Sequence, residues 1–222
     1  MLPSRMLPIL SVFILATLCS SYSKKASPRP AQADSTVLPV RDAFSISGYG
    51  LMVTGKIESG IIKPGIKLEA RGRGDKVYTL TVGKIYINNK EVSQAIKDEE
   101  VTLQAKGVTG TEVRMGMILS APGSFQTVQL AEASVSFPAI TGDNPVTDRL
   151  SVQVLLHGNT EFATLLLKDG KPIPPGTQGN ISLKFSTPIA AAINDVFILK
   201  ANGKIIGNGT FTKFADSKDQ PQ

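Results

Sequence analysis

The stretch VFILKANGKIIG, residues 196–207, sets the reading of this 222-residue chain. Two apolar runs flank Asn202-Gly203, and a two-residue Asn-Gly linker tolerates the positive φ that a tight hairpin imposes on both central residues. Upstream, Ile181-Ser182-Leu183-Lys184-Phe185 alternates apolar and polar side chains with period two, as a strand with one face in a core does. Asp169-Gly170 follows another apolar run in the same manner. Lys63-Pro64-Gly65 and Ala121-Pro122-Gly123 mark further turns. Residues 92–97 alone read as a short helical turn. Many short strands separated by close turns predict an all-β protein of barrel or sandwich type. The aromatic residues of the body, such as Phe44, Tyr78, Phe185 and Phe211, fall at strand spacing and are expected in the core, with Tyr49 exposed between two glycines.

Composition narrows the chemistry. The chain has one Cys, one His and no Trp. Neither an intrachain disulfide nor a Cys₄ or Cys₂His₂ zinc site can be assembled from that set. The formal charge is +6, shared equally between residues 1–35 and the rest, so the body is only mildly basic. Its densest cluster is Lys63, Lys67, Arg71, Arg73 and Lys76, read as a solvated surface rather than the many-cation face that counterion release from nucleic acid requires.

The chain begins with Arg5 and then an almost purely apolar run, residues 6–19 (MLPILSVFILATLC). A charged start and a 14-residue apolar segment have the form of a secretory signal, and the run is shorter than the about 20 residues that span a bilayer. Its end, LATLC, resembles a bacterial lipobox, with Leu18 standing where that pattern has a small residue. Cys19 is the candidate lipid-attachment residue; cleavage after Ser23 or at Ala31-Gln32-Ala33 is the alternative. Residues 20–36 lack apolar periodicity and read as a flexible tether.

The turn at Ala121-Pro122-Gly123 divides the body into units of residues 37–123 and 126–215, with a polar tail at 216–222. Within the first unit, Gly50 to Ile57 matches G-x-x-x-x-G-K but carries Ile57 where a phosphate-binding loop has Ser or Thr for Mg²⁺. The segment continues as a strand, whereas such a loop opens a helix. GTP binding is therefore not expected. His157 ends an apolar strand run with no nucleophile or second ligand in sequence, and no serine lies in a G-x-S-x-G elbow. Gly142-Asp143-Asn144-Pro145 with Asp148 lacks the Ca²⁺-loop spacing, and Asp98-Glu99-Glu100 is an acidic turn. No enzyme activity, cofactor or metal is expected.

The run PVRDAFSISGYGLMVTGKIESGIIKPG, residues 39–65, resembles the opening of domain 2 of elongation factor Tu. Lys106-Gly107-Val108, RMGMIL at 114–119 and Ala121-Pro122-Gly123 are similar to the end of that domain. Pro175-Gly176, Thr187-Pro188-Ile189-Ala190 and NGKIIGNGTFTK at 202–213 are similar to the end of domain 3. The resemblance implies two packed antiparallel β-barrels, with Gly48, Gly50, Gly55, Gly60 and Gly65 as signature glycines at turns and bends. A leader and tether stand where the family has its GTPase domain. Residues 78–92 and 144–157 depart from the family where aminoacyl contacts and the aromatic, arginine-rich strand would fall, so no functional residue is carried over. The expectation is an exported, non-catalytic module, periplasmic, extracellular or membrane-anchored. Its partner is an unknown envelope component, with the membrane reached through a lipid on Cys19. The alternative is a translation-associated factor contacting ribosome or aminoacyl-tRNA, with any GTPase on another chain.

Overall fold

The computed structural model describes residues 36–139 and 144–215. Every regular element among them is a β-strand. The first half carries β1 (Val37–Pro39), β2 (Asp42–Ile46), β3 (Gly50–Lys56), β4 (Ile61–Ile62), β5 (Lys67–Arg71), β6 (Val77–Ile87), β7 (Lys90–Val92), β8 (Ala95–Ile96), β9 (Glu100–Lys106) and β10 (Ile118–Ser120). The second carries β11 (Gln126–Ser136), β12 (Leu150–Leu156), β13 (Asn159–Leu167), β14 (Gln178–Ala191), β15 (Val196–Ala201) and β16 (Lys204–Phe214).

The second half closes into a six-stranded antiparallel barrel, β11-β14-β13-β12-β15-β16. Its interior follows from period-two patterning: Val152, Val154 and Leu156 of β12 and Ile181, Leu183 and Phe185 of β14 all point inward. Phe211 centres the interior, with ring centroids 4.6 Å from Phe197 and 6.2 Å from Phe185. Asn202 and Gly203 join β15 to β16 with φ of 49° and 78°, the doubly positive turn that the sequence motif predicts.

The first half differs from the second barrel that the resemblance implies. Its main sheet runs β1-β10-β5-β6-β9-β3-β2, with β7 on β6 and a separate β4-β8 ladder, and this strand order is open. The two ends of that order, β1 and β2, are consecutive in the chain and do not pair with each other. Between them, the Val40 N–H bonds to Met117 O and the Arg41 N–H to Thr54 O, both at 2.8 Å. The sheet curls so far that a Cβ on Gly55 of β3 would stand 2.3 Å from the Pro39 carbonyl oxygen of β1. Glycine is required there because two backbones touch. The concave side buries a continuous cluster from Leu38 through Val53, Leu68, Leu80 and Leu103 to Leu119.

Two local expectations are overturned. Residues 92–97 form no helical turn; Ala95 and Ile96 pair with Ile62 and Ile61, because burying Ala95 in this cluster outweighs local helix preference. Phe44 is 41% exposed rather than in the core, since β2 pairs only with β3 and Phe44 lies on the outward side.

Phe211→Ala should lower stability by about 3–5 kcal/mol, read as a fall in the urea midpoint. A loss under about 1 kcal/mol would mean that the barrel interior is not organised around this ring. Ser120 is fully buried, and its hydroxyl has no partner among the described residues. Ser120→Ala is therefore expected to leave stability unchanged or raise it by up to about 1 kcal/mol in the same assay.

Candidate functional site

The two halves meet along a narrow apolar seam in which Ile118, Phe125 and Ala190 are buried against one another, with Val37 and Ala192 at its margin. Polar pins surround that seam, and most of them come from one hairpin. His157 and Gly158 join β12 to β13 with φ of 49° and 74°, again a doubly positive two-residue turn. The turn thrusts the imidazole out of the barrel and across to the first half. His157 Nδ1 lies 2.5 Å from Glu58 Oε2, and Nε2 lies 3.0 Å from Asp195 Oδ2. Asp195 Oδ2 also accepts the Ala192 N–H at 2.7 Å, which fixes the carboxylate within its own turn. Phe125 covers the ring at a centroid separation of 5.4 Å.

Burial of the ring, only 11% exposed, opposes its charging. Hydrogen bonds to Asp195 and Glu58, together with their negative charge, more than offset that, and the pKa is raised from 6.5 to about 9. His157 is thus an imidazolium at neutral pH and donates to both carboxylates. Neither ring nitrogen is left to act as a base or to ligate a metal. Among the described residues no group of His, Cys, Asp and Glu is placed to hold a metal ion.

The next residues of the hairpin continue the pinning. Asn159 Nδ2 donates to Gly116 O at 2.9 Å. Arg73, from the turn after β5, reaches Glu161 Oε2 at 2.9 Å and Thr160 O at 3.0 Å. The Gly74 N–H donates to Pro188 O at 2.9 Å. The basic cluster read as a solvated surface is therefore divided: Arg73 crosses between the halves, and Arg71 pairs with Glu69 at 2.9 Å. Burial raises the Glu69 pKa, but the Gly123 N–H and the Arg71 guanidinium outweigh it and hold the carboxyl below its ordinary value.

Beside these pins lies a cleft of about 1080 Å³, walled by both halves. Arg41, Lys56, Arg73, Lys76 and Arg114 line it, with Met115 at 72% exposure. Most of this charge is already matched: Arg41 pairs with Glu100, and Lys56 with Asp98 at 2.9 Å. Lys76 and Arg114 have no carboxylate partner among the described residues; the Arg114 guanidinium donates to the Thr111 carbonyl at 3.2 Å.

The remaining sequence candidates fall apart from one another. Gly48, Gly50, Gly60 and Gly65 have φ between 80° and 88°, and Gly55 makes the close approach described above. The segment resembling a phosphate loop is β3, extended from Gly50 to Lys56. The acidic turn is wholly engaged, Asp98 and Glu100 in ion pairs and Glu99 on the Ile96 N–H at 2.8 Å. Asp148 accepts the Leu167 N–H at 2.7 Å, while Gly142 and Asp143 lie outside the described residues. Cys19 lies outside them as well. The clamp on His157 was missed because Glu58 and Asp195 stand 99 and 38 residues away in sequence. Only the His157-Gly158 turn, set between two alternating runs, offered a local signal. No protein-family model matches this sequence.

A histidine whose pKa is raised in the folded state contributes its full stability below the unfolded value of 6.5, and loses that contribution as pH climbs through about 9. The shift corresponds to roughly 3 kcal/mol. Thermal melts between about pH 6 and pH 10 should therefore show a progressive alkaline loss that His157→Gln removes. An equal alkaline loss in the variant would show that the clamp carries no such linkage.

Proposed function

We propose that this chain is an exported, non-catalytic binding module built from elongation factor Tu-like domains 2 and 3, two barrels spanning residues 37–123 and 126–215. On this reading the curled N-terminal sheet is the domain 2 barrel, closed in effect by the bent β1–β2 segment, and the six-stranded barrel is domain 3. The observation that carries the binding reading is the cleft at the seam. Its walls are fixed against each other by the His157, Arg73 and Asn159 pins, and it keeps Lys76, Arg114 and an exposed Met115 available to a partner. Clefts between packed units are common binding sites, and charge with no internal partner gives a ligand something to match. The non-catalytic reading rests on chemistry: the single imidazole is held between two carboxylates, which occupy both of its ring nitrogens. Export rests on the apolar run at residues 6–19.

Intact-mass analysis of the native protein from fractionated cells tests this reading. The expected result is a mature N-terminus at Cys19 with added acyl mass, and Cys19→Ser should then release the protein from the membrane fraction. A start at Lys24 or Asp34 keeps export and removes the anchor. An unprocessed Met1 in the cytosol, together with salt-sensitive co-sedimentation with ribosomes, would replace the proposal with the translation-associated role.

A further inference from the structure

The barrel exposes large apolar side chains on one part of its outer wall. Register places Phe162, Gln153, Lys200 and Ile205 in one row straight across β13, β12, β15 and β16. Thr160, Leu155, Ile198 and Asn208 form the next row. Val196 continues the outward face of β15 two residues before Ile198. Phe162 is 57% exposed, Val196 67%, Ile205 50% and Ile198 39%. Directly opposed side chains in neighbouring strands lie about 5 Å apart, so these residues form one continuous surface. Contiguous exposed apolar surface of this kind marks an interaction site.

What could cover it is limited by the backbone and by charge. The six strands close on themselves, so the wall offers no strand edge to which another chain could add. No position in either row is acidic, and Lys200 stands in the middle with no carboxylate partner among the described residues. On the flank, Lys184 lies directly opposite Thr164 of β13. A second copy docking on this wall about a two-fold axis would set Lys200 near its own mate with nothing on the wall to neutralise either. The occupant that matches is anionic and apolar at once. A contiguous apolar surface on a convex wall, with Lys200 within it and Lys184 at its flank, suits an interface of lipid headgroups and acyl chains. We infer that this outer wall of the barrel, centred on Phe162, Ile198 and Lys200, docks the protein onto an anionic lipid surface. The inference concerns a face other than the seam cleft and stands whether or not Cys19 carries lipid.

The test is flotation of the protein as isolated from cells, with vesicles of phosphatidylcholine alone and with about one-third phosphatidylglycerol. The wild-type protein should bind the anionic vesicles more strongly, and the excess should fade as salt is raised. Phe162→Ser combined with Val196→Ser should lower that excess about tenfold, and Lys200→Glu several-fold, with unchanged melting temperatures. Restoring the cation with Lys200→Arg should restore binding. Equal partitioning into both vesicle types would overturn the proposal, and so would variants that bind as wild type. Variants that alter only the mass of the protein in solution would assign the wall to self-association. Variants that lose only a co-purifying acidic protein would assign it to that partner instead. Binding is compared at a lipid concentration that half-binds the wild-type protein to the anionic vesicles, so that an anchor on Cys19 does not saturate the signal.

Discussion

The orientation of the two halves depends on a protonated imidazole held between two carboxylates. The apolar part of the seam is small, since Ile118, Phe125 and Ala190 are its buried members. Apolar contact is non-directional, and so short a seam tolerates sliding. The trio of Glu58, His157 and Asp195 does not, because both ring nitrogens must meet an oxygen at once. A neutral ring has one N–H and would turn a lone pair towards a carboxylate, so the geometry itself requires the charged form. Taking the imidazolium and Asp195 largely out of water, with Glu58 at the rim, costs free energy, and an ion cluster of this type is weak evidence for net stability. Its effect is better seen in specificity: it selects one docking angle, and the cleft inherits a fixed shape from that angle.

The legible part of the structure was the part written in local pattern. Strand alternation and the Asn202-Gly203 turn follow from side-chain period and from φ tolerance, both properties of neighbours in sequence. Phe44 was misplaced because period two says that a residue has a face, not which face is covered, and β2 lies at the edge of its sheet. Residues 92–97 were misplaced because the ladder that recruits them, β4, lies some thirty residues earlier in the chain. The candidate site was almost entirely illegible. Its members come from the end of β3, the turn after β5, the β12–β13 hairpin and the turn before β15, and no spacing rule joins those places.

The two halves also deal differently with their strand edges. Closure removes the problem from the barrel, whose strands all have two neighbours. The open sheet has single-partner strands at β1, β2 and β7, and the first two are blunted. β1 is three residues long and ends in Pro39, which has no N–H to offer. β2 begins with Asp42, whose Oδ1 accepts the N–H of Ala43 at 2.8 Å and sets a negative charge beside the edge. The segment between them bends across the gap, so one stretch of chain guards both sides.

Charge that looks evenly mixed along the chain is sorted by the fold. Carboxylates act mainly as acceptors at fixed points: Glu58 and Asp195 on His157, Glu69 on Arg71 and the Gly123 N–H, Glu161 on Arg73, Glu112 on the Thr109 N–H and hydroxyl. Each of these bonds closes a turn, holds the seam or secures a loop, and those of Glu58, Glu69, Glu161 and Asp195 also pair the negative charge with a cation. Lysines on the barrel, such as Lys184 and Lys200, are not drawn into that network. A body with only a small formal excess of positive charge therefore presents more of it outward than its composition suggests. Net charge describes the whole molecule, whereas an approaching partner senses the groups within about a Debye length of its own surface. The seam that fixes the two halves and the rows around Phe162, Ile198 and Lys200 are in this sense connected: acidic groups serve the first and none stands in the second.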